Sequence, residues 1–188
     1  MRCFIAIDID EAIRNALARL QKDILDKAGI KKGDAKWVDP GSMHLTLKFL
    51  GEIKDVQAVD VCNITKEVAA RHKSFDIDIG TVGSFGGKSA RILWVGAGQE
   101  SENLLQLQSD LEQQLASAGR PPENRQFAGH LTLCRVRNFK AGEKLALLIE
   151  QYKDFKLGVV PADSLCVYQS ELTPKGPIYT SLGRYNLL

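Results

Sequence analysis

Two stretches, His44-Leu45-Thr46-Leu47-Lys48-Phe49-Leu50-Gly51 and His130-Leu131-Thr132-Leu133-Cys134-Arg135-Val136, decide how the chain folds. Both open on His-Leu-Thr-Leu, and they stand nearly half a chain apart. Alternation of polar and leucine side chains is the signature of a half-buried strand. Along a strand, residues i and i+2 share a face, so each histidine projects beside its threonine while the leucines pack behind. With only three histidines in the chain, a matched pair is hard to assign to chance. The repeat suggests a duplication in which similar β-α units feed each copy.

Outward from these strands the pattern alternates strand and helix. A β-prone run over Cys3 to Ile7 precedes Ile13, Leu17, Leu20, Ile24 and Leu25 at helical spacing, closed by Gly29. A basic loop with Lys31, Lys32 and Lys36 leads to Trp37-Val38 and the first motif. Residues 55–71 read as a helix with Val56, Val59, Ile64 and Val68 on its apolar face. Strands follow near 75–79 and 90–95, then a helix over about 102–118 and the second motif strand. The tail predicts a helix near 142–151 and strands near 155–160, 163–171 and 178–186. Strands arriving in hairpin-like succession favour an α+β fold with antiparallel sheet over a parallel one. No linker separates two composition blocks, so residues 1–188 are expected to form one domain of two lobes.

Composition narrows the function classes. At 44% hydrophobic and 26% charged the chain is an ordinary globular protein with a sizeable core. A net charge of +2 excludes a strongly basic DNA-coating protein but permits a local basic pocket. No run approaches the length needed to span a bilayer, and the first residues lack the form of a secretion signal, which predicts a cytoplasmic protein. Cys3, Cys62, Cys134 and Cys166 are scattered with no C-x-x-C pair, as expected of buried thiols in a reducing compartment.

Histidine can both accept and donate a proton near neutrality. Two imidazoles on opposite sides of a phosphorus can therefore act as base and acid for an in-line displacement. Threonine hydroxyls can donate to the non-bridging oxygens, with Lys48 or Arg135 as candidate cations. Three other signals are weaker. Gly83-Ser-Phe-Gly-Gly-Lys-Ser89 imitates a phosphate-binding loop, but the spacing requires glycine where Val82 stands, and a strand follows instead of a helix. It reads as a hairpin connection. His130 and Cys134 lie too far apart along a strand to share one zinc. His72 is expected on a solvated helix end.

The two motifs resemble the paired H-x-T motifs of the 2H phosphoesterase superfamily, closest to its RNA 2′,3′-cyclic phosphodiesterase (2′-5′ RNA ligase-like) branch. Arg2–Asp8, Trp37, Ile92-Leu-Trp-Val-Gly96, Tyr168–Leu172 and Gly176–Tyr179 are also similar, so the likeness spans nearly the whole chain. One departure is Ala128-Gly129, where many relatives have proline directly before the histidine. The resemblance implies a bilobal α+β fold, two pseudo-twofold-related β-α lobes with antiparallel sheets around a central cleft. It implies metal-independent opening of cyclic phosphate ends of RNA to a 2′-phosphate, with no cofactor. His44 would be the proton donor and His130 the proton acceptor; Thr46 and Thr132 would hold the phosphate. Arg135 and Phe49 match positions lining the nucleotide site. Strict alternation would put both on the leucine face, so a bulge or strand end must redirect them. The partner would be RNA with 2′,3′-cyclic phosphate ends, tRNA fragments among them, met by a monomer. Reverse 2′-5′ ligation of tRNA halves would use the same groups. Alternatives are a phosphodiesterase for small cyclic nucleotides or ADP-ribose cyclic phosphate, and a non-catalytic module that binds RNA ends.

Overall fold

The computed structural model describes residues 1–31, 33–98, 101–174 and 176–188; Lys32 of the basic loop lies outside them. The chain runs β1 (Arg2–Asp8), α1 (Glu11–Ala28), β2 (Ala35–Trp37), β3 (His44–Glu52), α2 (Asp55–Ala69), β4 (Phe75–Phe85), β5 (Ile92–Ala97), α3 (Glu102–Ser117), β6 (His130–Val136), α4 (Phe139–Leu148), β7 (Lys156–Ala162), β8 (Ser164–Thr173) and β9 (Gly176–Asn186). Two antiparallel sheets result, ordered β3-β1-β8-β9 and β2-β6-β5-β4-β7. The fold is α+β and bilobal, and each motif strand lies in its own sheet.

The sheets do not correspond to the two halves of the chain. β4 follows the first motif yet joins β5 of the second sheet, and β8 follows the second motif yet joins β1 of the first. The first half thus lends β2 and β4 to the second sheet, and the second half lends β8 and β9 to the first. Their helices cross in the same way: α2 lies against β8, β9 and α3, while α1 lies against β7 and α4. The halves are interlocked, and neither buries its core alone. Buried side chains from both sheets and the helices form one continuous cluster.

Local sequence accounts for most elements. Asp10 accepts the Ile13 amide at 2.8 Å to start α1, and Gly29 ends it with a left-handed backbone (φ 57°). Of the apolar face expected for α2, Val68 is buried and Ile64 half-buried, but two members face outward. Val56 and Val59 are exposed, and the buried stripe is Ala58, Val61, Thr65, Val68 and Ala69. Small residues at helical spacing let α2 approach the sheet, so size outweighed hydrophobicity. Similarly, α4 begins at Phe139, several residues before the predicted start, because Asn138 caps it by accepting the Ala141 amide at 3.2 Å. β2 is three residues long and exists by pairing with β6.

β4 continues past Ile79 through a bulge at Gly80–Val82 and turns into β5 as a hairpin. At Gly80 a side chain would collide with the Phe155 carbonyl, so the glycine permits the crowded bulge. Among the described residues, no helix is long and apolar enough to cross a membrane.

Candidate active site

The two motif strands have the same shape. His44 to Leu50 and His130 to Val136 show one sequence of half-buried, buried and exposed positions, residue for residue. Both histidines and both threonines are half-buried, with Leu45, Leu47, Leu131 and Leu133 in the core behind them. Among the described residues neither Thr46 nor Thr132 makes a side-chain hydrogen bond within the protein.

Each strand then carries an extra residue at the same place, and β3 carries a second at Leu50. Ile5 pairs with Lys48 and Ala6 with Thr46, leaving Leu47 unpaired; Leu93 pairs with Cys134 and Trp94 with Thr132, leaving Leu133 unpaired. A bulge of this kind resets the alternation. Phe49 and Arg135 therefore return to the side of the histidines, and Phe49 is 71% exposed. The same reset buries Lys48 and Cys134.

That corrects the expectation for Lys48. Its side chain is 7% exposed, and the ammonium donates to Glu112 Oε1 at 2.5 Å and the Pro121 carbonyl at 2.9 Å. A charge so paired behind the strand is unavailable to a phosphate, which leaves Arg135 as the cation beside the motifs. Burial pushes the Cys134 thiol up to about 12, consistent with a core thiol.

Each histidine sits in its own aromatic wall. The Phe4 ring stacks on His44 with centroids 4.4 Å apart; Tyr179 meets it edge-on at 5.1 Å, and Tyr168 lies at 6.2 Å. Burial pushes the His44 pKa down to about 4, against the Ser42 carbonyl and Asp8, which raise it; Arg14 lowers it further. In the other lobe, Phe85 meets His130 edge-on at 5.3 Å and Trp94 lies at 6.3 Å. His130 Nδ1 is 2.8 Å from the Ala128 carbonyl. A carbonyl only accepts, so Nδ1 carries the proton and Nε2 is the free nitrogen. At Gly129 a side chain would collide with the Ala97 carbonyl, and the Gly129 carbonyl accepts the Ala97 amide at 2.9 Å.

Burial raises the Tyr179 phenol pKa, and the positive charge of Arg135 opposes the shift. Behind this wall, Asp8 accepts from the Tyr168 hydroxyl at 2.8 Å and is ion-paired with Arg184. Phe4, Phe85, Trp94, Tyr168 and Tyr179 escaped the sequence reading as cleft residues. For Phe4 and Trp94 the signal was masked by continuous apolar runs; for Tyr168 and Tyr179 only the resemblance pointed there.

His72 is also corrected. Instead of a solvated end, it ties α2 to α3: its Nε2 is 3.0 Å from Asp110 Oδ2, which also takes Arg71 at 3.0 Å. Among the described residues, no group of three or more His, Cys, Asp or Glu side chains is arranged to hold a metal.

The family model described as LigT like Phosphoesterase matches this chain twice, over residues 7–94 and 95–179, one match for each motif. The RNA 2′,3′-cyclic phosphodiesterase of Methanothermobacter thermautotrophicus is 32% identical over 100% of this chain and 99% of its own length. The protein of the same name from Methanocaldococcus jannaschii is 32% identical over 95% and 96%. Among solved structures, TT0787 of Thermus thermophilus superposes with a TM-score of 0.79 at 26% identity, covering 100% of this chain and 98% of that one. The chain is an enzyme that belongs to the LigT-like phosphoesterase family, within the 2H phosphoesterases.

Proposed function

We propose that the chain hydrolyses the 2′,3′-cyclic phosphate ends of RNA to 2′-phosphomonoesters, through one domain whose lobes arose by duplication. The observation that carries this reading is the matched pair of His-x-Thr strands, each bulged at the same residue and buried in the same pattern. Relatives alike over their full length bear the name of that activity.

Opening the ring requires water to attack phosphorus in line with the departing 3′-oxygen. His130, its Nδ1–H held by Ala128, offers Nε2 as the base that takes the water proton. His44 gives its proton to the 3′-oxygen as the P–O bond breaks, and a second proton exchange with solvent resets the pair. Enclosure keeps His44 neutral in the free protein. An anionic phosphate between the motifs favours its protonated form, so substrate loads the acid. Thr46 and Thr132 donate to the non-bridging oxygens, Arg135 neutralises their growing charge, and Phe49 offers a face for a base to stack on. Reverse 2′-5′ joining would use a 5′-hydroxyl in place of water, with no ATP.

The test is incubation of a 2′,3′-cyclic-ended oligonucleotide with the protein and chromatography of the products. A 2′-phosphate end is expected. Binding without turnover would favour an RNA-end binding module, and a preference for small cyclic nucleotides would move the substrate class.

A further inference from the structure

The bulges that re-aim Phe49 and Arg135 are held from across the molecule. Leu133, the unpaired residue of β6, offers its carbonyl to the Val38 amide at 2.9 Å and to Gln21 Nε2 at 3.0 Å. Gln21 is a buried residue of α1, in the first half of the chain, and the same Nε2 donates to the Val38 carbonyl at 2.8 Å. In the other lobe, Lys48 follows the unpaired Leu47 of β3 and is gripped by Glu112 of α3, in the second half. Glu112 Oε1 also accepts the Glu123 amide at 2.6 Å. Gln21 is the eleventh residue of α1 and Glu112 the eleventh of α3. Equivalent helix positions therefore carry a polar side chain that reaches a bulge, each to the motif strand of the opposite half.

We infer that Gln21 and Glu112 are a matched pair of positioning residues: each fixes the bulge of the opposite half's motif strand, Gln21 thereby aiming Arg135 and Glu112 aiming Phe49. A buried carbonyl that loses one of its two donors, or a buried ammonium without its carboxylate, makes the bulged conformation less favourable. Slippage to regular pairing would turn Arg135 or Phe49 to the leucine face, because a one-residue shift inverts every side chain. The inference rests on the cleft reading above, and its test separates the two.

Gln21→Met keeps the side-chain volume and removes the donor. In 15N-labelled protein the amide signals of Cys134 and Arg135 are expected to shift, with those of Lys48 and Phe49 in place. Replacing Lys48 and Glu112 together, as Lys48→Met with Glu112→Leu, keeps the core filled and should do the reverse. On a cyclic-ended oligonucleotide, Gln21→Met should lower kcat/KM roughly ten- to a hundredfold, the typical cost of a small misplacement. In an Arg135→Ala background that loss should shrink to within about threefold, whereas in a Phe49→Ala background it should persist, since coupled sites are not additive. Gln21→Glu, which sets a carboxylate against two carbonyls, should be worse than Gln21→Met near neutrality. A Tm loss with undisturbed β6 amides, or equal losses in both backgrounds, would overturn the positioning role. If the wild-type protein turns over no cyclic phosphate, the proposed function fails and the amide shifts alone decide the positioning.

Discussion

The Phe4 ring lies nearly parallel to His44, 4.4 Å away at an interplanar angle of 19°, and so takes one face of the imidazole out of water. Burial, to which this contact contributes, lowers the His44 pKa more than any nearby charge moves it. Unperturbed histidines would bracket a rate bell between roughly pH 5.5 and 8. With His44 held at about 4, the acidic limb of kcat/KM is expected near that pH, since kcat/KM reports the free enzyme. Phe4→Ala should move the limb upward toward 6.5, as readmitted water stabilises the charged ring. A pH series on the wild-type and Phe4→Ala proteins checks this, and an unmoved limb would assign it to another group.

The same shift predicts a stability change. The folded His44 binds its proton only near pH 4, while the unfolded chain binds it near 6.5. Between those values the unfolded state holds more protons, so stability rises with pH and is lost on acidification. Asp110, whose carboxyl is held low by His72 and Arg71 despite its burial, adds a loss in the same direction at more acidic pH. Urea melts at about pH 4.5 and 7 should differ less for His44→Asn than for the wild type.

His72→Ala should leave kcat/KM within about twofold, being remote from both motifs, yet cost up to about 1 kcal/mol by loosening the α2–α3 tie. Thermal melts beside steady-state rates separate the two effects.

Thr46→Ala and Thr132→Ala each remove one donor from the phosphate and leave proton transfer intact. A loss of about tenfold in kcat/KM is expected from each, the worth of one such hydrogen bond. A loss matching that of the histidine variants would give the hydroxyl a part in the proton transfer itself.

Activity is expected to survive excess EDTA, because Thr46, Thr132 and Arg135 are assigned the charge that a metal would otherwise meet. Loss on chelation with recovery on adding a divalent ion would contradict the assignment.

What could be read from the sequence was whatever depends on neighbours along the chain. Period-two alternation put each histidine beside its threonine, and the four helices followed from their spacing and caps. The need for a bulge was legible too, from the conflict between alternation and the resemblance at Phe49 and Arg135. What depends on distant partners was not. Lys48 looked like a free cation because nothing local reveals Glu112. The lending of β4 and β8 between sheets leaves no trace in either strand's pattern. Phe4, lost in an apolar run, is buried by the imidazole it covers.

The most direct test of the central claim is steady-state turnover of a 2′,3′-cyclic-ended oligonucleotide by folded His44→Ala, His130→Ala and the double variant. Each single variant should lose on the order of 10²–10⁴ in kcat, the range of positioned acid–base catalysis. The double variant should lose less than the product of the two, because the histidines act as one unit. Near-wild-type turnover by either folded single variant would contradict the account and leave the paired motifs a structural repeat.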